Sequence, residues 1–198
     1  GQAFLRFDYT GHGQSSGAFE DGTIGQWAED AIHALDTLSD GPQVLVGSSM
    51  GGWIMLLTAL ARLDRVVGLV GTAAAPDFTE DLMLRELTPD QIQQIETQGF
   101  TEIPNCYDEE PYKITKALLD DGRNHLLLNA EIPLDCPVRL IHGDKDEDVP
   151  WQTSLRIADA LRTSDVETLL VKNGDHRLSE PHDLNRLCRT VERLLDQL

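Results

Sequence analysis

The spacing of apolar and polar positions changes repeatedly along this chain, and the changes predict strands separated by helices. Short apolar runs predict strands at residues 3–8, 43–48, 66–70, 138–142 and 166–171. Between them, apolar residues recur every three or four positions, as a helix requires. Strands that alternate with helices of this length are typical of βαβ units, so we predict an α/β fold with a mostly parallel sheet.

Two of the predicted helices lie in the last third of the chain. One begins near Trp151, and the other begins near His182 and includes Leu198. We predict that the apolar stripe of this last helix is packed in the core. Its members are Leu184, Leu187, Cys188, Val191, Leu194, Leu195 and Leu198.

One segment interrupts the alternation. From Pro76 to about Pro133 the chain is acidic, favours helix and shows no clear strand. We therefore predict that residues 1–75 and 134–198 form the core of the fold, and that residues 76–133 form an insertion. The insertion is expected to be a small helical lid over the carboxyl edge of the sheet, and the alternative is a surface excursion without function.

Composition narrows the classes of function. The 198 residues include 16 Lys and Arg against 34 Asp and Glu, a formal charge of -18. This balance disfavours nucleic acid and anionic membrane surfaces as partners. Three widely spaced cysteines, Cys106, Cys136 and Cys188, predict reduced thiols in an intracellular, cytoplasmic protein. No signal peptide, membrane-length apolar run or metal-ligand motif is visible, so we expect no cofactor or metal, and the oligomeric state stays open.

The strongest chemical signal is Gly47-Ser48-Ser49-Met50-Gly51, which matches the pattern G-x-S-x-G. A predicted strand precedes it and a helical apolar pattern follows, which is the context of a nucleophile elbow. Ser49 is therefore the candidate nucleophile. The pattern also occurs at residues 13–17, but no apolar strand leads into that copy and no helical face follows, so we interpret it as a polar loop.

A serine nucleophile needs a base to accept its proton and an acid to orient the base. Elbow hydrolases carry these residues in the order Ser, Asp or Glu, His. The segment 142–150 reads H-G-D-K-D-E-D-V-P, and Asp146 holds the acid position of the pattern H-G-x-x-D-x-x-V-P. A calcium loop is excluded, because Val149 and Leu155 stand where that loop needs Gly and Glu.

His176 is the candidate base, because it follows the last predicted strand in a short polar loop. His12 and His33 precede the serine, His125 lies in the insertion, and His182 begins the last helix. His142 ends a strand and is expected to support the acid loop. In the predicted mechanism, Ser49 attacks an acyl carbonyl while His176 takes its proton, and the backbone N–H of Met50 donates to the oxyanion.

At this point the motifs resemble a known family. The chain is similar to the α/β-hydrolase fold throughout its length. Within it, the chain resembles the mitochondrial palmitoyl-protein thioesterases of the α/β-hydrolase-domain group, also described as acyl-glucuronide esterases. The stretches behind the resemblance are residues 7–11, 41–53, 136–143, 149–151, 164–166 and 175–177.

The resemblance implies the same triad, Ser49, Asp146 and His176, and a small-molecule or acylated-protein ester or thioester as substrate. It also implies a mitochondrial location as the alternative to the cytoplasm. The family begins with further strands and a His-Gly loop that supplies a second oxyanion donor, so we expect that such a segment precedes Gly1 in the natural protein. The alternatives are a general carboxylesterase, a prolyl-oligopeptidase-type peptidase, or a non-catalytic module that binds small molecules.

Overall fold

The computed structural model describes residues 2–104 and 111–198. Single 3-10 turns lie at Phe19–Asp21 and Arg123–His125, and a π-helical turn lies at Thr79–Met83. In chain order the helices and strands are α1 (Ile24–Leu38), β1 (Gln43–Ser48), α2 (Met50–Ala61), β2 (Val66–Thr72), α3 (Leu84–Glu86), α4 (Pro89–Gln98), β3 (Phe100–Ile103), β4 (Tyr112–Thr115), α5 (Lys116–Gly122), β5 (Val138–Gly143), α6 (Gln152–Ala160), β6 (Val166–Val171) and α7 (Pro181–Leu195).

The described residues divide into two compact units, one from residues up to 30 with 77–126, the other from 31–76 with 127–198. The second unit contains a parallel sheet with strand order β1-β2-β5-β6. The bounds of β1 and β6 coincide with the predicted ranges, whereas β2 and β5 each extend slightly further. Because the strands are parallel, their carboxyl ends meet at one edge, where β1 ends at Ser48 and β5 at Gly143. The predicted α/β fold is confirmed.

The two inner strands of this sheet explain why its sequence is so apolar. Every residue of β5 is buried, and so is every residue of β2 except Val67. Strands covered on both faces read as nearly continuous apolar runs, which is how the sequence revealed them. The main core cluster comprises Leu35, Met55, Leu56, Ala59, Val66, Leu69, Ala74, Ile132, Leu134, Val138, Leu140, Ile157 and Leu161.

The other unit contains two strands that the sequence did not predict. β3 and β4 pair antiparallel, with Phe100 opposite Thr115 and Ile103 opposite Tyr112. The prediction of no clear strand between Pro76 and Pro133 is therefore wrong. Each strand has only four residues, and of these only Thr101 and Ile114 are buried. So short an alternation leaves no apolar run that stands out from its polar surroundings.

The strand predicted at residues 3–8 is also wrong. None of these residues lies in a strand, and Phe4 is 81% exposed. A strand exists only when a neighbouring strand pairs with its backbone, and no described strand pairs with this segment. Asp8 instead organises the loop that follows, because its Oδ2 accepts the N–H of Gln14 at 3.0 Å and its carbonyl oxygen accepts the hydroxyl of Ser15 at 2.6 Å.

Three other predictions concern the cysteines, membrane-spanning helices and the division into core and lid. Cys136 and Cys188 are free thiols, as expected, and Cys106 lies outside the described residues. Within residues 2–104 and 111–198, no helix has both the length and the apolar character needed to span a bilayer. The division into a core of 1–75 with 134–198 and a lid of 76–133 stays a prediction.

Candidate active site

The turn between β1 and α2 holds Ser49 in an unusual backbone conformation. Its φ is 51° and its ψ is -122°, which L-residues rarely adopt. The surrounding backbone fixes this conformation, because the N–H of Ser49 donates to the Thr72 carbonyl at 3.0 Å and its own carbonyl accepts the N–H of Ala75 at 3.1 Å. Strain held in place by its surroundings is typical of functional sites.

Two glycines allow the turn to close. A β-carbon on Gly47 would overlap the backbone carbonyl of Gly51, and one on Gly52 would overlap the β-carbon of Ala74. Gly47 is the one buried residue of β1, and Gly52 lies in the first turn of α2. The strand and the helix therefore approach each other more closely at this corner than any larger residue permits.

The structure brings the three predicted side chains together, all within the second unit. The Nε2 of His176 lies 3.0 Å from the Oγ of Ser49, and its Nδ1 lies 2.8 Å from the Oδ2 of Asp146. Ser49 follows β1, Asp146 follows β5 and His176 follows β6, so three carboxyl ends of the parallel sheet deliver them to one edge. A carboxylate, an imidazole and a hydroxyl joined in this order by hydrogen bonds form the arrangement that activates serine in serine hydrolases.

The carboxylate of Asp146 is fully occupied by donors. Its Oδ1 accepts the backbone N–H groups of Asp148 at 3.0 Å and Val149 at 2.8 Å. Its Oδ2 is shared by the two imidazole nitrogens His176 Nδ1 and His142 Nε2, the second at 3.0 Å. The side chain has no exposed surface, so these four contacts replace the water that an ionised carboxylate would otherwise bind.

These contacts determine the protonation of the pair. Burial alone would raise the pKa of Asp146, but the hydrogen bonds from His142, His176 and the Val149 N–H outweigh it and hold that pKa far below its usual range. The pKa of His176 is raised above its ordinary value, chiefly by its hydrogen bond to Asp146 and against the opposing effect of burial. Asp146 therefore stays ionised at neutral pH and stabilises a proton on His176.

Met50, the predicted oxyanion donor, is the first residue of α2. The first N–H groups of a helix have no partner within it, and the positive end of the helix dipole lies beside them. The N–H of Met50 follows Ser49 directly in the chain. Met50 thus lies at the amino end of α2 beside Ser49, and its role as an oxyanion donor stays a prediction.

The serine and histidine residues that we did not choose as candidates for the site have other contacts. In the second copy of G-x-S-x-G, residues 13–17 form turns, and Ser15 donates its hydroxyl to the Asp8 carbonyl. His12 packs edge-on against Trp27, with ring centroids 5.0 Å apart. His125 Nε2 lies 3.4 Å from Asp121, and His182 Nε2 lies 3.5 Å from Asp183.

Sequence reasoning missed one buried residue of the site. The Oγ of Ser154, in the first turn of α6, lies 2.7 Å from Nδ1 of His142, and Ser154 is only 1% exposed. A serine in the first turn of a helix normally suggests a helix cap or a solvent-exposed side chain. The available signal was its position three residues after Trp151, where the predicted helix begins directly after the acid segment.

Only one group among the described residues has the geometry to hold a metal ion. Ligand atoms of Asp146, Asp148 and His176 lie within 4.8 Å of one another. Asp146 and His176 already bond each other in this cluster, so a cation would compete with the imidazole for the same Oδ2. Asp146 accepts hydrogen bonds from both His176 and the backbone N–H of Asp148, and these contacts account for the clustering.

Comparisons with known proteins show the family of the chain. A model described as the alpha/beta hydrolase family matches residues 1–187. The human protein "Palmitoyl-protein thioesterase ABHD10, mitochondrial" is 42% identical over 199 residues, which cover 100% of this chain and 65% of the relative. The chain therefore spans about two-thirds of the length of the curated relatives it matches.

Two solved structures are similar at comparable identity. A protein from Agrobacterium vitis S4, described as a candidate hydrolase, superposes with a TM-score of 0.90 at 42% identity, covering 96% of this chain and 75% of that one. The mouse alpha/beta hydrolase domain-containing protein 10 superposes with a TM-score of 0.87 at 42% identity, covering 97% of this chain and 77% of that one. The predicted resemblance is confirmed, and the chain belongs to the alpha/beta hydrolase family.

Proposed function

We propose that this chain forms the catalytic part of a serine hydrolase that cleaves acyl esters or thioesters through an acyl-enzyme on Ser49. The observation that supports this most is the continuous line of hydrogen bonds from Ser49 through His176 to Asp146, with distances of 3.0 and 2.8 Å. The strained turn presents the hydroxyl at the start of that line, where it is half-buried.

The first half of the reaction forms the acyl-enzyme. Nε2 of His176 accepts the proton of the Ser49 hydroxyl as its Oγ attacks the acyl carbonyl carbon. Asp146 stabilises the imidazolium that results, because its carboxylate accepts the Nδ1–H and remains ionised. The tetrahedral intermediate then collapses, the bond to the alcohol or thiol breaks, and His176 returns the proton to the leaving group.

The second half releases the acid. Water takes the place of the leaving group, His176 removes one of its protons, and the hydroxide attacks the acyl carbon. Collapse of this second intermediate restores the Ser49 hydroxyl with the proton from His176. In both halves, negative charge develops on the former carbonyl oxygen, and we assign the N–H of Met50 as a donor to it. Loss of one such donor typically lowers turnover by about 10² to 10³.

The substrate class follows from the relatives. Five curated proteins that match this chain carry the name palmitoyl-protein thioesterase, and the sequence motifs resemble that group. We infer that the acyl donor is a thioester or ester, either a small molecule or an acylated protein. The same relatives are named mitochondrial, which favours that compartment over the predicted cytoplasm.

A labelling experiment tests the proposal. The protein is incubated with a fluorescent fluorophosphonate, which reacts covalently with an activated serine, and labelling is compared with that of Ser49→Ala. We expect labelling of the wild type and none of the variant. Ser15→Ala is the matched control, because Ser15 lies in the second copy of the pattern but donates to Asp8, and its labelling should equal that of the wild type.

Substrate assays separate the alternatives. Hydrolysis rates are measured for acyl-CoA thioesters, nitrophenyl esters of increasing chain length and peptide amides. Faster cleavage of long acyl thioesters supports the proposed class. A preference for short esters indicates a carboxylesterase, and cleavage of peptide amides indicates a peptidase. A folded wild type that neither labels nor cleaves any of them contradicts the proposal and favours a binding module.

A further inference from the structure

A second histidine touches the carboxylate of the candidate triad. Nε2 of His142 lies 3.0 Å from Oδ2 of Asp146 and 3.0 Å from the carbonyl oxygen of Val149, and the side chain is fully buried. Both neighbours of this nitrogen only accept hydrogen bonds, the carboxylate being ionised. The network therefore assigns the ring proton to Nε2, from which it is donated to Asp146.

The other side of the ring is also fixed. Nδ1 of His142 lies 2.7 Å from the Oγ of Ser154. With the ring proton on Nε2, a neutral imidazole accepts at Nδ1, so the Ser154 hydroxyl donates to it. Ser154 is almost completely buried in the first turn of α6, and no water is needed to satisfy either group. The ring is thus held in one orientation and one tautomer.

The contacts of the second oxygen of Asp146, Oδ1, prevent the carboxylate from rotating. Oδ1 already accepts two backbone N–H groups, so a rotation that offered it to His176 would break both contacts. His142 and His176 must therefore share Oδ2. Two donors on one oxygen compete for its electron density, and each weakens the hydrogen bond that the other receives.

We propose that His142, held by Ser154, is a positioning residue that sets the basicity of His176 through the oxygen of Asp146 that they share. The proposal rests on the proposed function, in which His176 is the general base. Without the hydrogen bond from His142, Oδ2 would carry more of the carboxylate charge and bind the Nδ1–H of His176 more strongly. His176 would then hold its proton to a higher pH and would be a worse base at neutral pH.

Other charges around His176 do not change in this comparison. Asp148, from the same loop as Asp146, and Asp175, its neighbour in the chain, face the imidazole and favour its protonated form. Neither receives a hydrogen bond from His142. A shift caused by removing the His142 donor can therefore be attributed to Asp146.

The test compares two variants of His142 in the full protein. His142→Leu removes the donor at similar volume, whereas His142→Gln keeps an N–H near the position of Nε2. We measure kcat and KM against pH for a nitrophenyl ester, together with the unfolding temperature. For His142→Leu we expect the acidic limb of kcat/KM to move up by about one pH unit, with kcat lowered at neutral pH and KM unchanged. His142→Gln should restore the limb towards the wild-type position.

The outcomes separate this proposal from the proposed function. A folded, active His142→Leu protein with the wild-type limb overturns the positioning role and leaves the hydrolase intact. If His142→Leu does not fold, Ser154→Ala decides, because it keeps the imidazole but releases its orientation. A smaller shift in the same direction is then expected, and an unmoved limb overturns the proposal. Absence of Ser49-dependent labelling in the wild type would instead overturn the proposed function.

Discussion

Replacing Asp146 with asparagine tests the electrostatics of the site with a change of one atom. The carboxylate accepts four hydrogen bonds, two from backbone N–H groups at Oδ1 and two from imidazoles at Oδ2. An amide has one oxygen and one NH₂ group, so it can serve only one of these pairs. The other pair of N–H groups would face the NH₂ group of the amide, which is itself a donor and cannot accept their hydrogen bonds.

Neither orientation of the amide reproduces the contacts of the carboxylate. If the NH₂ group faces the imidazoles, His176 must present a lone pair at Nδ1 and carry its proton on Nε2, where it cannot accept from Ser49. If the amide is flipped, its NH₂ group opposes the N–H groups of Asp148 and Val149, and the loop must move. We expect kcat to fall by about 10⁴-fold, the loss that the wrong imidazole tautomer produces in serine-protease triads. This corresponds to about 5.4 kcal/mol of transition-state stabilisation.

The assay is ester hydrolysis under saturating substrate, with the fluorophosphonate labelling rate as a second readout. Asp148→Asn is the matched control, since it removes a nearby charge that lies outside the hydrogen-bond line and is exposed. It should change kcat by less than about threefold. An Asp146→Asn protein that is folded and retains more than about a tenth of the wild-type kcat would refute the assignment of Asp146 as the acid.

The remaining predictions concern the elbow and pH. Gly47→Ala should lower the free energy of unfolding by about 1–3 kcal/mol or more, because the added methyl overlaps the Gly51 carbonyl. Gly41→Ala, where no atom lies within 4 Å, should cost only about 1 kcal/mol for its positive φ, and equal losses in denaturant titrations would contradict the clash. The acidic limb of kcat/KM should lie above about pH 6.5, because the pKa of His176 is raised, and a limb at lower pH in a pH–rate profile would argue against the coupling to Asp146. The stability that this raised pKa contributes is fully present below about pH 6.5 and is lost as pH rises through the folded-state value, which pH-dependent denaturation can follow. The lowered pKa of Asp146 has the opposite effect on the pH dependence of stability. Its contribution is present above about pH 4 and is lost as the pH falls through the folded-state value.

The parts of the fold that the sequence predicted are those where burial leaves a simple pattern. β2 and β5, which are buried along almost their whole length, appear in the sequence as nearly continuous apolar runs and begin at the predicted residues. The three candidate triad positions were predicted from chain order, and each lies in the segment that follows a strand of one parallel sheet. Local sequence sufficed there because, in a parallel sheet, the segments that follow the strands all lie at the same edge.

Predictions failed where the structure depends on a partner in space. The apolar segment at residues 3–8 has the composition of a strand, but no described strand pairs with it. In the apolar stripe predicted for the last helix, Leu194 is buried, whereas Leu184 is 50% exposed and Leu198, beyond the end of α7, is 57% exposed. The stripe is therefore only partly core. Ser154 was missed because its importance lies in a hydrogen bond to His142, twelve residues away in the chain.

The backbone of Ser49 also restricts which nucleophiles this scaffold accepts. At a φ of 51° a branched β-carbon is strongly disfavoured, so threonine would distort the turn although its hydroxyl is chemically equivalent. Cysteine, unbranched and close to serine in size, meets no such barrier. Exchange of serine chemistry for thiol chemistry is therefore open to this protein by a single substitution, whereas exchange between its two hydroxyl amino acids is not.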